Sequence, residues 1–295
     1  MDKSFQGGIG VFDSGMGGLD VAAAISKILP HEQLIYLGDN ARVPYGTKSA
    51  STVRSYTKEA AYWLVQKGIK ALVIACNTAS AAINVLSLEQ ELNIPVFGMI
   101  EAGIKAYESE VEAQENIDLR HLQVVILATP GTVRSQAYQL ALNQKYPNLK
   151  VLAFPCPIFV PLVEMGWESH LLVPQLVEAQ LLEDKENDWW NSNEMKHTIY
   201  LLGCTHYPMM RESIISGLER LSYHSFSCID GAQSVAHLLK ETLEFRGLLR
   251  QAPEGLSHYA YLTDDPIHSQ SAVDLALRFW QNRGGVGSLQ ILNTR

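Results

Sequence analysis

The chain has 295 residues, more than one hydrophobic core usually supports, so two structural units are expected. Its net charge of −8, from 23 Lys and Arg against 31 Asp and Glu, comes without a basic run and argues against a nucleic-acid partner. No apolar stretch reaches the roughly 20 residues of a membrane span, Met1-Asp2-Lys3-Ser4 opens no signal core, and Cys76, Cys156, Cys204 and Cys228 form no C-x-x-C pair, so a reduced, cytoplasmic protein is expected.

In chain order, β-rich apolar runs predict strands near Gly8–Asp13, Gln33–Leu37, Ala71–Ala75, Val96–Phe97, Val124–Ala128, Val151–Phe154, Thr198–Leu202, His224–Ile229 and Tyr259–Leu262. Helical spacing fills the gaps at Leu19–Leu29, Ser51–Lys67, Ala79–Leu92, Ile104–Glu115, Val133–Lys145, Leu171–Leu182, Met209–Leu221, Gln233–Phe245 and Ala272–Gln281. Such alternation implies α/β architecture with parallel sheets covered on both faces. Ligands of these folds sit beyond the carboxyl ends of strands, where Asp13, Cys76 and Cys204 all fall.

A coarse repeat divides the chain. Val11-Phe12-Asp13-Ser14-Gly15 and Ile126-Leu127-Ala128-Thr129-Pro130-Gly131-Thr132 are each an apolar strand turning through Gly into a helix, and each half later delivers a cysteine. The expectation is two similar doubly wound parallel-sheet domains related by pseudo-symmetry, with the active site in the cleft between them. The first takes 1–98 plus 231–283 and the second 99–230, with a linker near Gly98–Gly103. Glu183–Lys196, with Trp189-Trp190, reads as a loop insertion, and 284–295 as a frayed tail.

The most informative feature is duplicated. Ala75-Cys76-Asn77-Thr78 and Gly203-Cys204-Thr205-His206 each follow an apolar run and precede a helical pattern. A lone cysteine at a strand end is ordinarily a small buried hydrophobe, the reading adopted for Cys156 and Cys228, which lack the polar followers. Two equivalent thiols suit a reaction that needs an acid and a base of equal strength on opposite sides of one carbon, which is racemisation. A thiol is mostly protonated at neutral pH, and a helix N-terminus favours its thiolate. The N–H groups of those first turns, with Asn77, Thr78 and Thr205, suit carboxylates. Asp13 reads equally as a helix cap before Leu19 and as a functional acid, His206 as a core histidine or a general acid/base, and Glu164 as a partner of His206 or a solvated helix residue. Gly15-Met16-Gly17-Gly18 invites a dinucleotide reading but lacks the third glycine of G-x-G-x-x-G, where Asp20 stands.

Five blocks in register, Ile9–Leu19, Tyr36–Gly46, the Cys76 motif, Phe159–Glu164 and the Cys204 motif, closely resemble the bacterial glutamate racemases, and the resemblance runs from about Ile9 to Trp280. It implies a cofactor-independent, metal-free isomerase that interconverts L- and D-glutamate and supplies D-glutamate for peptidoglycan. It also implies Cys76 and Cys204 as the acid/base thiols, with Asp13 and His206 as their respective proton-handling partners. Substrate contacts then fall on Asp13, Ser14, Tyr45, Gly46, Asn77, Thr78, Thr205 and His206. A homodimer with no nucleic-acid or membrane partner is expected. The chain departs from the family at Ile229-Asp230-Gly231-Ala232, where Ile-Asp-Ser-Gly is usual, and at Ala102, where Pro is common; both lie outside the catalytic blocks. The alternatives are an aspartate racemase or another cofactor-free racemase, an amino-acid-binding regulator, or a metal-binding protein using Cys76, Cys204, Asp13 and His206.

Overall fold

In the computed structural model, which describes residues 7–114, 119–182, 195–221, 224–250, 257–264 and 270–294, two parallel sheets organise the chain. The first contains β1 (Gly8–Asp13), β2 (Leu34–Gly38), β3 (Ile69–Ile74), β4 (Val96–Gly98), β9 (Ser257–Leu262) and β10 (Ser288–Asn293) in the order β10-β9-β2-β1-β3-β4. The second contains β5 (Leu122–Ala128), β6 (Lys150–Pro155), β7 (His197–Gly203) and β8 (Ser225–Ile229) in the order β6-β5-β7-β8.

The orders β2-β1-β3-β4 and β6-β5-β7-β8 are the same arrangement displaced by four strands. The repeat read from the sequence is therefore a repeat of topology. β1 corresponds to β5 and β3 to β7, so the turn after β1 that carries Asp13 matches the turn after β5 that carries Thr129, and Cys76 matches Cys204. Central strands of a parallel sheet covered on both faces read as near-continuous apolar runs. Gly8–Asp13 and Leu122–Ala128 are buried at every position, and Val11 lies in register between Tyr36 and Val73.

Helices α1 (Gly18–Ile28), α2 (Ala50–Gln66), α3 (Asn77–Ala82), α4 (Val85–Leu92), α11 (Ala232–Phe245) and α12 (Gln270–Asn282) accompany the first sheet. The second sheet is followed by α6 (Pro130–Ser135), α7 (Ala137–Lys145), α8 (Phe159–Glu164), α9 (Val173–Leu182) and α10 (Arg211–Leu221). α1, buried from Gly18 to Ser26, packs under α11 and α12. α5 (Met99–Ala113) occupies the segment expected to be a linker. The crossover between sheets is thus a helix that starts directly after β4 and packs on α11, α7 and β7.

Two predicted helices are each broken in two. Ala79–Leu92 interrupts at Ile83, which is extended, because the Asn84 side chain accepts the Ser87 N–H and caps a new helix. Val133–Lys145 interrupts at Gln136, held at φ 55°. The insertion at 183–194 lies outside the described residues.

The expected frayed tail is corrected. Gly284 and Gly287 take φ of 68° and 88°, conformations open to glycine, and turn the chain back so that Ser288–Asn293 pairs in parallel with β9. The reason is a period-2 pattern in which Leu289 and Ile291 pack against the core under α1 and α12 while Leu292 faces the opposite layer. His258 pins this edge. It is buried, its Nδ1 accepts the Leu34 N–H at 3.1 Å, and its Nε2 donates to Val286 O at 2.9 Å.

That geometry needs a neutral imidazole, and burial lowers the His258 pKa below 6.5. A lowered folded-state value means that the unfolded chain binds protons first, so the stabilisation is complete above pH 6.5 and is lost as pH falls from there towards the folded-state value. His197 and His224, also lowered by burial, add to the same acid limb. Thermal melts of His258→Gln should show lower stability than the wild type at neutral pH and a shallower loss below pH 6.5; an unchanged acid limb would show that His258 is not its source.

Candidate active site

Cys76 follows β3 in an extended conformation (φ −64°, ψ 116°) and is the N-cap of α3, where its sulfur accepts the Ala79 N–H at 3.4 Å. Its Sγ also lies 3.4 Å from Ser14 Oγ, from the loop after β1. Burial, reinforced by the Asp13 carboxylate, pushes the Cys76 thiol up to about 12 against the opposing pull of Ser14 and the Ala79 N–H. At neutral pH this residue is therefore a thiol.

Cys204 directly follows β7 and leads into a short 3-10 helix (Tyr207–Met210), whereas Cys76 opens α3. His206 Nδ1 stands 4.0 Å from Cys204 Sγ, and Nε2 faces Glu164 Oε1, on α8, at 3.4 Å and off line for a hydrogen bond. Burial by itself would lower the His206 pKa, yet the Cys204 sulfur, the Glu164 carboxylate and Asp13 together raise it to about 10. The imidazole thus carries a proton beside Cys204 at neutral pH. Phe279 of α12 meets the ring edge-on at a centroid distance of 5.3 Å and fixes its plane.

Both cysteines line one cavity, together with Ser14, Val43, Pro44, Tyr45, Gly46, Asn77, Thr78, Thr129, Val160, Thr205 and His206. Its volume is about 30 Å³, on the order of a single water. An amino acid enters only when the two walls move apart. A larger cavity of about 590 Å³ opens elsewhere, between Glu168 and Arg283, and carries neither thiol.

Asp13, fully buried, stands behind this lining. Its Oδ2 accepts the N–H groups of Gly15 and Gly18 at 3.2 and 3.1 Å, and its Oδ1 accepts the Thr205 hydroxyl at 3.4 Å. The two readings of Asp13 coexist: it caps the start of α1 and also reaches across to the second cysteine motif. Burial raises its pKa, opposed by His206 and the backbone N–H groups of Gly18, Gly15 and Ser14, so its carboxylate is a stronger base than an exposed one. Of the sequence-predicted contacts, Ser14, Tyr45, Gly46, Asn77, Thr78, Thr205 and His206 reach the cavity and Asp13 does not; nor does Glu164, the expected partner of His206.

Tyr45 is committed elsewhere. Its hydroxyl donates to Asp39 Oδ2 at 2.5 Å, and Asp39 also accepts from Arg42 Nε and Thr263 Oγ1. What the Tyr45-Gly46 turn offers a ligand is therefore ring face and backbone. Gly46 is required by the opposing wall, since a Cβ there would stand 2.7 Å from Thr129 Cβ.

Three residues escaped the sequence reading. Thr129 and Thr132 form a hydroxyl triangle with Thr78 across the cleft, at 2.9, 3.2 and 3.1 Å. Thr129 was signalled only as the counterpart of Asp13 in the repeat. Tyr138 of α7 donates to Asn77 Oδ1 at 2.6 Å, which orients the amide so that its NH₂ remains available as a donor. No sequence pattern signals that bond. Among the described residues, no group of three or more His, Cys, Asp or Glu side chains is disposed to hold a metal ion.

Comparisons with known proteins place the chain in a family. The family described as Asp/Glu/Hydantoin racemase matches residues 14–154. A glutamate racemase of Geobacter metallireducens is 38% identical over 258 residues, 88% of each chain, and one of Aquifex aeolicus is 39% identical over 239 residues, 81% of this chain and 84% of that one. Among solved structures, the glutamate racemase of Francisella tularensis in complex with D-glutamate superposes with a TM-score of 0.78 at 33% identity and covers 97% of both chains. That of Bacillus anthracis gives 0.78 at 32% identity over 98% of both. With two cysteines at the ends of corresponding strands meeting at one cavity and this likeness spanning nearly its whole length, the chain belongs to the glutamate racemase family.

Proposed function

We propose that this protein interconverts L- and D-glutamate by a cofactor-free two-base reaction and supplies D-glutamate for peptidoglycan in the cytoplasm. The observation that carries the reading is the meeting of two repeat-related thiols, one after β3 and one after β7, at a single cavity. The names of the relatives and of the solved neighbours point to glutamate rather than aspartate.

From D-glutamate, the Cys76 proton passes to Asp13, and the thiolate removes the α-proton. The carbanion is held by preorganised donors on the substrate carboxylates: Asn77, Thr78 and Thr205 with the helix-start N–H groups, Ser14, and the Tyr45-Gly46 backbone. Cys204 protonates Cα from the opposite face and recovers its proton from His206, whose charge Glu164 sustains. Starting from L-glutamate the roles reverse. Asp13 and Cys76 belong to a first domain of 1–98 plus 231–283, to which β10 is added, and Cys204 and His206 to a second domain of 99–230. Among the described residues no helix is long and apolar enough to cross a membrane. We further propose a homodimer, on the support of the exposed apolar side chains Met165, Trp167, Leu171 and Leu172; sedimentation of the pure protein tests it.

Heavy water tests the mechanism. Each thiol exchanges with solvent, so L-glutamate formed early from D-glutamate should carry deuterium at Cα while the remaining D-glutamate carries little, and the same should hold from the other enantiomer. Early product without deuterium would rule out two separate bases. Absence of any change in the circular dichroism of either glutamate enantiomer would overturn the activity itself.

A further inference from the structure

The end of α12 carries a chain of buried charge that the reaction does not use. Asn282 Nδ2 donates to Asp20 Oδ1 at 2.9 Å. Arg283 donates to Asp20 Oδ2 through Nε at 3.0 Å and through Nη2 at 2.7 Å, and the same Nη2 reaches Asp230 Oδ2 at 2.9 Å. Asp230 Oδ2 also accepts from Arg211 Nη2 at 2.5 Å, and Arg211 Nη1 donates to Cys228 O. The carboxylates are 1% and 7% exposed, and Arg283 18%.

The positions of these groups give the chain its meaning. Asp20 lies in the first turn of α1, two residues after Gly18, whose N–H holds Asp13, and three after Gly17, which lies so close to Thr205 and His206 that a Cβ there would clash with both. Asp230 directly follows β8 of the second sheet, caps α11 by accepting the Ala232 N–H at 2.9 Å, and is tied to α10 through Arg211. Arg283 therefore joins the first turn of α1 to the second sheet. A buried carboxylate pair is tolerated only with a fully hydrogen-bonded cation between them, and a guanidinium fork bridges two carboxylates in a way that a single ammonium does not. A second tie, Arg278 to Glu168, runs beside it from the same helix.

We propose that Arg283 is a positioning residue for the reaction: by bridging Asp20 to Asp230 it sets the register of the first turn of α1, and with it Asp13 and Gly17, against the Cys204-Thr205-His206 turn. The inference rests on the catalytic reading above. Because the side chains of Asn77, Thr78 and Ser14 hold substrate without this joint, its loss acts on the reacting geometry more than on binding.

Arg283→Lys, which keeps the charge and loses the fork, should lower kcat in both directions by about ten- to hundredfold, as expected for displacement of about 1 Å at a reacting centre, with KM within about twofold. Substitution of Asp20→Asn on top of it should add little, because both act through one bridge. A folded Arg283→Lys protein with wild-type kcat, or one whose only change is a raised KM, would overturn the proposal. If that variant does not fold, Asp20→Asn alone decides the matter, since it leaves Arg283 paired with Asp230 and releases only α1; wild-type kcat there would equally overturn it. If the wild-type protein shows no racemisation, the catalytic reading has failed, and the joint is judged on iodoacetamide alkylation of Cys76 and Cys204 followed by mass spectrometry. Alkylation several-fold faster in Asp20→Asn than in wild type supports the joint, and equal rates overturn it.

Discussion

Replacing either Cys76 or Cys204 with alanine should stop racemisation in both directions, a loss of about 10²–10⁴-fold or more, because a positioned proton-transfer group contributes on that scale and each direction needs both thiols in sequence. In the proposed reaction one thiol takes the proton and the other delivers it, so neither half-reaction is complete alone. The fold should survive. Cys76 and Cys204 are 5% and 7% exposed at the edge of a cavity, so removing a sulfur empties little packed volume. Cys76→Ala also loses the cap on Ala79 N–H, which costs at most about 0.5–2 kcal/mol. Polarimetry with each enantiomer, alongside a thermal melt, makes the measurement. Substantial turnover in either variant would contradict the two-thiol reading, since a one-base enzyme survives one such loss and a two-thiol enzyme does not.

The second large effect is steric. Gly17 has ordinary helical dihedrals (φ −59°, ψ −31°), so alanine is compatible with the backbone there, yet its Cβ would stand 2.6 Å from Thr205 Oγ1 and 2.7 Å from His206 Nδ1. Contacts that short do not exist, so the Cys204 turn must shift away from α1. Thr205 then loses its 3.4 Å hydrogen bond to Asp13, and His206 loses its register with Cys204. Gly17→Ala is expected to lower kcat/KM by about 10²-fold, the scale on which a 1 Å misplacement acts, while the melting temperature changes little because the α1 backbone is unaltered. Near-wild-type activity would mean that the two walls approach each other less closely in solution than this geometry requires.

Much of the molecule was legible in the chain. The strands with an apolar run, such as residues 8–12 of β1 and 71–74 of β3, announce themselves because burial on both faces favours apolar residues throughout. Asp13, Cys76 and Cys204 at their carboxyl ends follow from where such sheets bind ligands. Failures of the local reading have local causes. The single helix expected over Ala79–Leu92 breaks at Asn84, whose side chain caps a new start, and the period-2 signal of Ser288–Asn293 was obscured by the glycines before it.

What the sequence by itself determined is the alternation of strand and helix and the duplication that sets one cysteine after β3 and another after β7; each strand, helix and cysteine motif is carried by residues within a few positions of one another. Tertiary structure alone decided that both thiols face one closed cavity of about 30 Å³, that Asp13 stands behind its wall, and that the Tyr45 hydroxyl turns to Asp39. It alone brought Thr129, Tyr138 and Phe279 to the site and joined Asp20 to Asp230 through Arg283. It also set the Cys76 thiol up to about 12 and His206 to about 10. The reason is physical: strand order, burial and the field at a titrating group are sums over neighbours that lie tens to hundreds of residues apart in the chain, and no local spacing encodes such a sum.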